Sequence, residues 1–150
     1  MRFDLEKTGE WFTFFESEID SNGEVKYHPP APDAGRVCFR LADAEVIEQI
    51  YQKTRKKVSE FVFNPKTRQM EKVKSYEQTP EQERAEREMI WDYAIVDWEN
   101  ILDAKGKEIP CTLENKMKLM NIPKFARFAG RCLQIISGAA EAEAAAEEKN

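Results

Sequence analysis

A chain of 150 residues with 41% hydrophobic content fits one domain with a real core, and its 34% charged content sits largely in helix-like stretches and at the C-terminus. A formal net charge of -5 disfavours a general attraction to nucleic acid or to an anionic membrane, and no stretch approaches the roughly 18 consecutive apolar residues of a membrane span. The start, MRFDLEKTGEW, lacks the apolar stretch of a signal peptide, and three distant cysteines, Cys38, Cys111 and Cys132, argue for a reducing compartment over a disulfide framework.

The first forty residues read as β structure. Glu10 to Phe15 is dense in strand-favouring aromatics, Ser21-Asn22-Gly23 supplies a turn, and Val25-Lys26-Tyr27 returns as a short strand. His28-Pro29-Pro30-Ala31-Pro32 stops regular pairing, because prolines remove donors and fix φ. Arg36 to Leu41 alternates polar and apolar residues and reads as a third strand. A helix follows with Asp43 as N-cap and Val46, Ile47, Ile50 and Tyr51 on one face. The basic run Lys53-Thr54-Arg55-Lys56-Lys57 reads as its solvated end, matched to the helix dipole, with an anion site as the alternative.

Glu60 to Phe63, the turn Asn64 to Arg68, and Gln69 to Tyr76 make a hairpin. Thr79, Pro80 and Gln82 form a capping box that opens a helix. That helix is expected to run to about Asn100 and to be the central buried one, with Trp91, Ile95, Trp98 and Leu102 in one stripe and Met89, Tyr93 and Val96 beside it. After a turn at Asp103 to Glu108, Thr112 caps a short helix through Met120. A last helix starts near Pro123 with Phe125, Ala129, Cys132 and Ile136 on one face. The expected fold class is α+β: a small N-terminal antiparallel sheet with hairpins, packed on a mostly helical C-terminal half. Residues 1–138 form one domain and 139–150 a flexible, acidic Ala/Glu tail.

Positive signs of catalysis are missing. His28 is the one histidine and lies in the proline-rich loop, the cysteines lack CxxC spacing, and no phosphate-binding or nucleophile-elbow pattern occurs. Asp92, Asp97, Glu99 and Asp103 cluster in sequence, but on a helix Asp92 and Asp97 do not stack on one face. No enzyme, cofactor or metal is therefore expected. Trp11, Phe12, Phe14 and Phe15 with Arg36 and Arg40 would suit a single-stranded nucleic-acid platform; a small aromatic core is the better reading for an acidic chain.

The most informative stretch runs from Ile95 to Lys116. A tryptophan segment at Trp98 is followed by an acidic, glycine-containing turn with Asp103 and Gly106. Ile109-Pro110-Cys111-Thr112 and Glu114-Asn115 then open the next helix, with Leu119 beyond. This resembles the hallmark of the tail assembly chaperones of long-tailed bacteriophages, over about 25 residues specifically and the helix order more loosely. Each of these residues also has a fold role: Trp98 as a buried anchor, Gly106 for the turn, Thr112 as a cap.

The resemblance implies a non-enzymatic protein of the host cytoplasm, absent from the mature virion. It would bind the tape measure protein, keep it soluble during tail assembly, self-associate, and contact the tail tube protein as a secondary partner, without nucleic acid or membrane. The mode implied is helix-in-groove binding, for which Met117, Met120, Phe125 and Phe128 are the candidate partner-binding residues. The alternatives are a virion structural or head-tail connector component and a small single-stranded nucleic-acid-binding accessory protein. Many chaperones of that family are made in two forms by a frameshift, and Glu148-Lys149-Asn150 admits the slippery coding GAA-AAA-AAC; one reading is that the chain is the short form, and the equal alternative is a solvated acidic tail of no consequence.

Overall fold

The computed structural model describes the backbone of residues 9–148 and the side chains of residues 9–138. Its elements in chain order are β1 (Glu10–Thr13), β2 (Ser17–Ile19), β3 (Val25–Tyr27), β4 (Arg36–Phe39), α1 (Ala44–Thr54), β5 (Lys56–Asn64), β6 (Gln69–Glu77), α2 (Pro80–Ala94), β7 (Ile95–Glu99), α3 (Leu113–Met120) and α4 (Pro123–Glu148). The fold is α+β as expected, with helix exceeding strand. Within the expected domain the chain divides into two compact units, Met1–Ala42 with Trp91–Asn150, and Asp43–Ile90.

In the first unit, β4 pairs antiparallel with β1 on one side and β7 on the other. The sheet's inner face carries Val37, Phe39, Ile95 and Trp98, and α4 covers it with Phe125, Phe128, Ala129 and Cys132. Those helix positions recur at the spacing that keeps one stripe toward a core. Phe12, Phe14 and Phe15 complete the cluster. The turn at residues 20–24 closes a hairpin as expected, with Asp20 Oδ1 accepting the Asn22 and Glu24 N–H groups, both at 2.9 Å. Val25–Tyr27 pairs, however, with Ser17–Ile19 rather than with the aromatic first strand. Arg127 of α4 holds this hairpin by donating to Ser17 Oγ at 2.7 Å and to the Ser17 carbonyl at 3.1 Å. Gly35 is required where it stands: a Cβ there would lie 2.5 Å from the Asn100 carbonyl oxygen and 2.9 Å from that of Glu99.

The expected long central helix is corrected. It ends at Ala94, and Ile95–Glu99 is a strand. Two side chains and one backbone N–H from elsewhere take up the helix's last carbonyls: Arg40 Nε donates to Tyr93 O at 2.7 Å, Lys116 Nζ to Asp92 O at 3.0 Å, and the Arg40 backbone N–H to Ala94 O at 2.9 Å. With those carbonyls satisfied, β-branched Ile95 and Val96 enter a ladder that suits them better than a helix. A bulge between Cys38 and Phe39 in the register lets Ile95 and Trp98, three apart, both face the core opposite Phe39 and Val37. Three-residue spacing of this kind imitates a helical stripe. Leu102, assigned to the same stripe, is exposed and bridges Glu108 across the following turn.

In the second unit, α1 is capped by Asp43, whose Oδ1 accepts the Val46 N–H at 2.9 Å, and α2 opens on the expected capping box between Thr79 and Gln82. The basic run is not all helix end: α1 stops at Thr54, and Lys56 and Lys57 begin the hairpin strand β5. At the foot of the hairpin, Glu86 Oε1 accepts from Arg55 Nε at 2.6 Å, Gln78 Nε2 at 3.2 Å and Thr54 Oγ1 at 3.4 Å. The Arg55 hydrogen bond is the main reason the Glu86 pKa lies below its ordinary 4.5. A carboxylate lowered in the folded state stabilises fully above its unfolded pKa, and that stability is lost as pH falls through the folded value. Glu86→Gln is therefore expected to lower the urea midpoint near about pH 7, with the gap to wild type closing near about pH 3. A gap that is the same at both pH values would show that the carboxylate charge is not what holds this foot.

The backbone of α4 continues through Glu148, across most of the expected Ala/Glu tail. Side chains from residue 139 on lie outside the described residues, as do Lys149 and Asn150 of the frameshift expectation. Among the described residues, no helix is long and apolar enough to cross a membrane.

Candidate functional site

The segment between β7 and α3 is shaped by its own hydrogen bonds. Asp103 Oδ1 accepts the N–H groups of Lys105 at 2.8 Å and Lys107 at 3.0 Å, and the Gly106 N–H reaches Asp103 O at 3.0 Å. Gly106 has φ +79, a left-handed conformation that glycine adopts freely. The chain then returns beside β7, where Trp98 Nε1 donates to Ile109 O at 2.6 Å. Asn115 Nδ2 donates to Pro110 O at 2.9 Å, and Thr112 Oγ1 accepts the Asn115 N–H at 3.3 Å as the cap of α3. Glu114 sits in the first turn of that helix, where a negative charge suits the dipole. Structure thus brings Trp98, Asp103, Gly106, Ile109, Pro110, Cys111, Thr112, Glu114 and Asn115 into one joint between a strand and a helix.

Two hollows flank the joint. One, about 330 Å³, is lined by Trp98 to Ile101 and Glu108 to Cys111. The larger, about 670 Å³, has Ile109, Pro110, Leu119 and Ile122 as its apolar surface, with Asp103, Lys107, Glu108 and Lys118 around them. Glu108 to Pro110 forms the rib between the two. Ile122 is 49% exposed, and its neighbour Leu119 packs partly against the core. The larger hollow is thus an apolar trough with charged edges, a shape that accommodates apolar side chains.

The candidate partner-binding residues divide. Phe125 and Phe128 are 5% and 0% exposed, so they are corrected to core residues: the sheet and the N-terminal aromatics cover them. Met117 and Met120 are half-buried, and Met120 packs against the core cluster. Of the groove residues outside the joint, Leu119 is legible in the sequence only as the leucine beyond the Ile95–Lys116 stretch, and Ile122 only as part of the break between Met120 and Pro123.

Lys116 is the other residue that sequence reasoning passes over. It is buried, and its Nζ sits 2.9 Å from Asp92 Oδ1, joining α3 to the end of α2.

The clustered carboxylates separate into four local roles. Asp92 pairs with Lys116, Asp97 accepts the Trp98 N–H at 2.8 Å, Glu99 accepts Arg36 Nε at 2.6 Å, and Asp103 holds its turn. His28 Nε2 lies 3.4 Å from Glu18 Oε1 at the surface. Burial raises the Cys38 and Cys111 thiols and pushes Cys132 up to about 12, the reverse of what a nucleophilic thiolate needs. Among the described residues, no three His, Cys, Asp or Glu side chains are placed to hold a metal ion. The nucleic-acid platform considered for the N-terminal aromatics is not assembled: Phe12, Phe14 and Phe15 turn to the core, while Arg36 lies over Trp11 and Arg40 over Tyr93. Comparison with family models, with curated proteins and with solved structures finds no match to this chain.

Proposed function

We propose that the chain is a tail assembly chaperone of a long-tailed bacteriophage, acting in the host cytoplasm on the tape measure protein and leaving before the virion is complete. The observation that supports this reading most is the apolar groove of Ile109, Pro110, Leu119 and Ile122, built at the same joint whose residues resemble the family hallmark. A helix laid there would bury apolar side chains spaced at three and four residues, while Lys107, Lys118, Asp103 and Glu108 at the edges fix its direction. Each joint residue serves geometry, and the groove is what that geometry leaves open.

Coexpression with the tape measure protein of the same phage is the test. The expected result is soluble tape measure protein that copurifies with several copies of this chain, and no copy in purified virions by mass spectrometry. Ile122→Asp, at a half-exposed position, is expected to leave the unfolding free energy within about 0.5 kcal/mol of wild type. It should weaken copurification as loss of a central apolar contact does, by about 2 kcal/mol or roughly 30-fold. Insoluble tape measure protein, or this chain retained in the virion, would sink the chaperone reading; full binding by Ile122→Asp would move the site elsewhere.

A further inference from the structure

The hairpin β5–β6 pairs without interruption from Lys56↔Glu77 to Asn64↔Gln69. Period-two alternation sorts its residues onto two faces. One face holds Lys57, Lys72 and Lys74 with Phe61, Phe63, Met70 and Tyr76, and has no acid. The other holds Glu60, Glu71 and Glu77 with Val58, Val62 and Val73, and its one strand lysine is Lys56. Neither face is covered: Phe61 is 69% exposed, Met70 60%, Val62 47% and Val73 45%. A two-stranded ribbon is marginal by itself in water, and apolar surface on both of its sides marks a place where something else packs.

We propose that copies of this chain stack ribbon on ribbon, the lysine–aromatic face of one against the glutamate–valine face of the next. Segregation of charge argues for this occupant. Either face laid on its own kind opposes like charges, whereas the two different faces oppose lysines to glutamates and aromatic rings to valines. Stacked sheets lie about 10 Å apart with their strands within roughly 30° of each other, which lets lysine and glutamate side chains meet across the gap. One contact accounts for the exposed apolar residues on both sides. Because it joins unlike faces, it is heterologous and adds copies head to tail. Nine residue pairs give a face of about 30 Å by 10 Å, well below the roughly 800 Å² per partner of a tight complex. The association is therefore reversible, concentration-dependent and weakened by salt.

The test uses the full chain alone, so it does not depend on the tape measure reading. Sedimentation velocity at rising concentration is expected to show self-association that falls with added salt. Lys72→Glu with Lys74→Glu makes both faces acidic, and Glu60→Lys with Val62→Lys makes both basic. Each double variant should associate about a hundredfold more weakly than wild type, and an equimolar mixture of the two should associate again. Circular dichroism checks that both variants fold; if either does not, the salt dependence of the wild type decides. A chain that stays monomeric, association indifferent to salt, variants that associate like wild type, or a mixture that stays apart would each overturn the proposal. So would a monomeric wild type that binds a labelled oligothymidine through Lys72 and Lys74, which would assign the face to single-stranded nucleic acid instead.

Discussion

Trp98→Ala is expected to lower the unfolding free energy by about 3–5 kcal/mol, a large share of the roughly 5–15 kcal/mol that holds a domain of this size. The indole is 7% exposed, faces Val37 across the β4–β7 ladder, and joins the core that α4 closes. Its Nε1–H also fixes Ile109 O, so truncation removes a buried ring and leaves the carbonyl without its donor. Trp98→Phe separates the two effects, since it keeps most of the packing and loses the hydrogen bond. It should cost about 1–3 kcal/mol and loosen the rib between the two hollows. A denaturation midpoint that scarcely moves for Trp98→Ala would mean that the joint is held from elsewhere, and that the ring belongs to a binding surface.

Phe128→Ala should be as damaging, again about 3–5 kcal/mol. Phe128 is fully buried, and its ring centroid lies 4.9 Å from that of Phe15, 5.0 Å from Phe14, 5.6 Å from Phe39 and 5.9 Å from Phe125, mostly edge to face. Rings in such pairs add about 0.5–1.5 kcal/mol each beyond area burial. Four of them depend on this one side chain. Urea denaturation followed by tryptophan fluorescence measures the effect. Loss of partner binding with an unchanged midpoint would return Phe128 to the surface role that its position among methionines and other phenylalanines suggests in the sequence.

What the sequence made legible was mostly local. The caps at Asp43, Thr79 and Thr112 each rest on a side chain reaching three residues along the chain, and all three form as expected. The ends of α3 and the start of α4 follow from Asn121 and Pro123 in the same way. The fate of Ile95 to Trp98 was not legible, because it is decided by β4, over fifty residues earlier, and by a bulge that gives a strand the apolar spacing of a helix. The groove was half legible. Its joint could be read from Asp103 to Asn115, but which apolar residues would line it depended on α4 drawing Phe125 and Phe128 inward and leaving Ile122 outside. The two-faced charge of the hairpin was present in the residues all along; it needed the Phe61↔Lys72 register to appear, since a slip of one position would scatter lysines and glutamates over both faces.

Strands β4 and β7 are antiparallel neighbours, a pairing that a two-residue turn could join, yet all of Asp43–Ile90 lies between them in sequence. In the language of chain statistics this is a detour. Its entropy rises with the logarithm of its length, by about 0.6 kcal/mol for each doubling. The sheet therefore pays little attention to how long the excursion is, and much to the Phe39↔Ile95 register where it starts and stops. Pairing across so long a gap is a late and slow event, so β1 and β4 can zip before β7 arrives. The same arithmetic lets the excursion be lengthened, shortened or exchanged while the sheet persists, which frees the ribbon it carries to change its exposed faces on a timetable of its own.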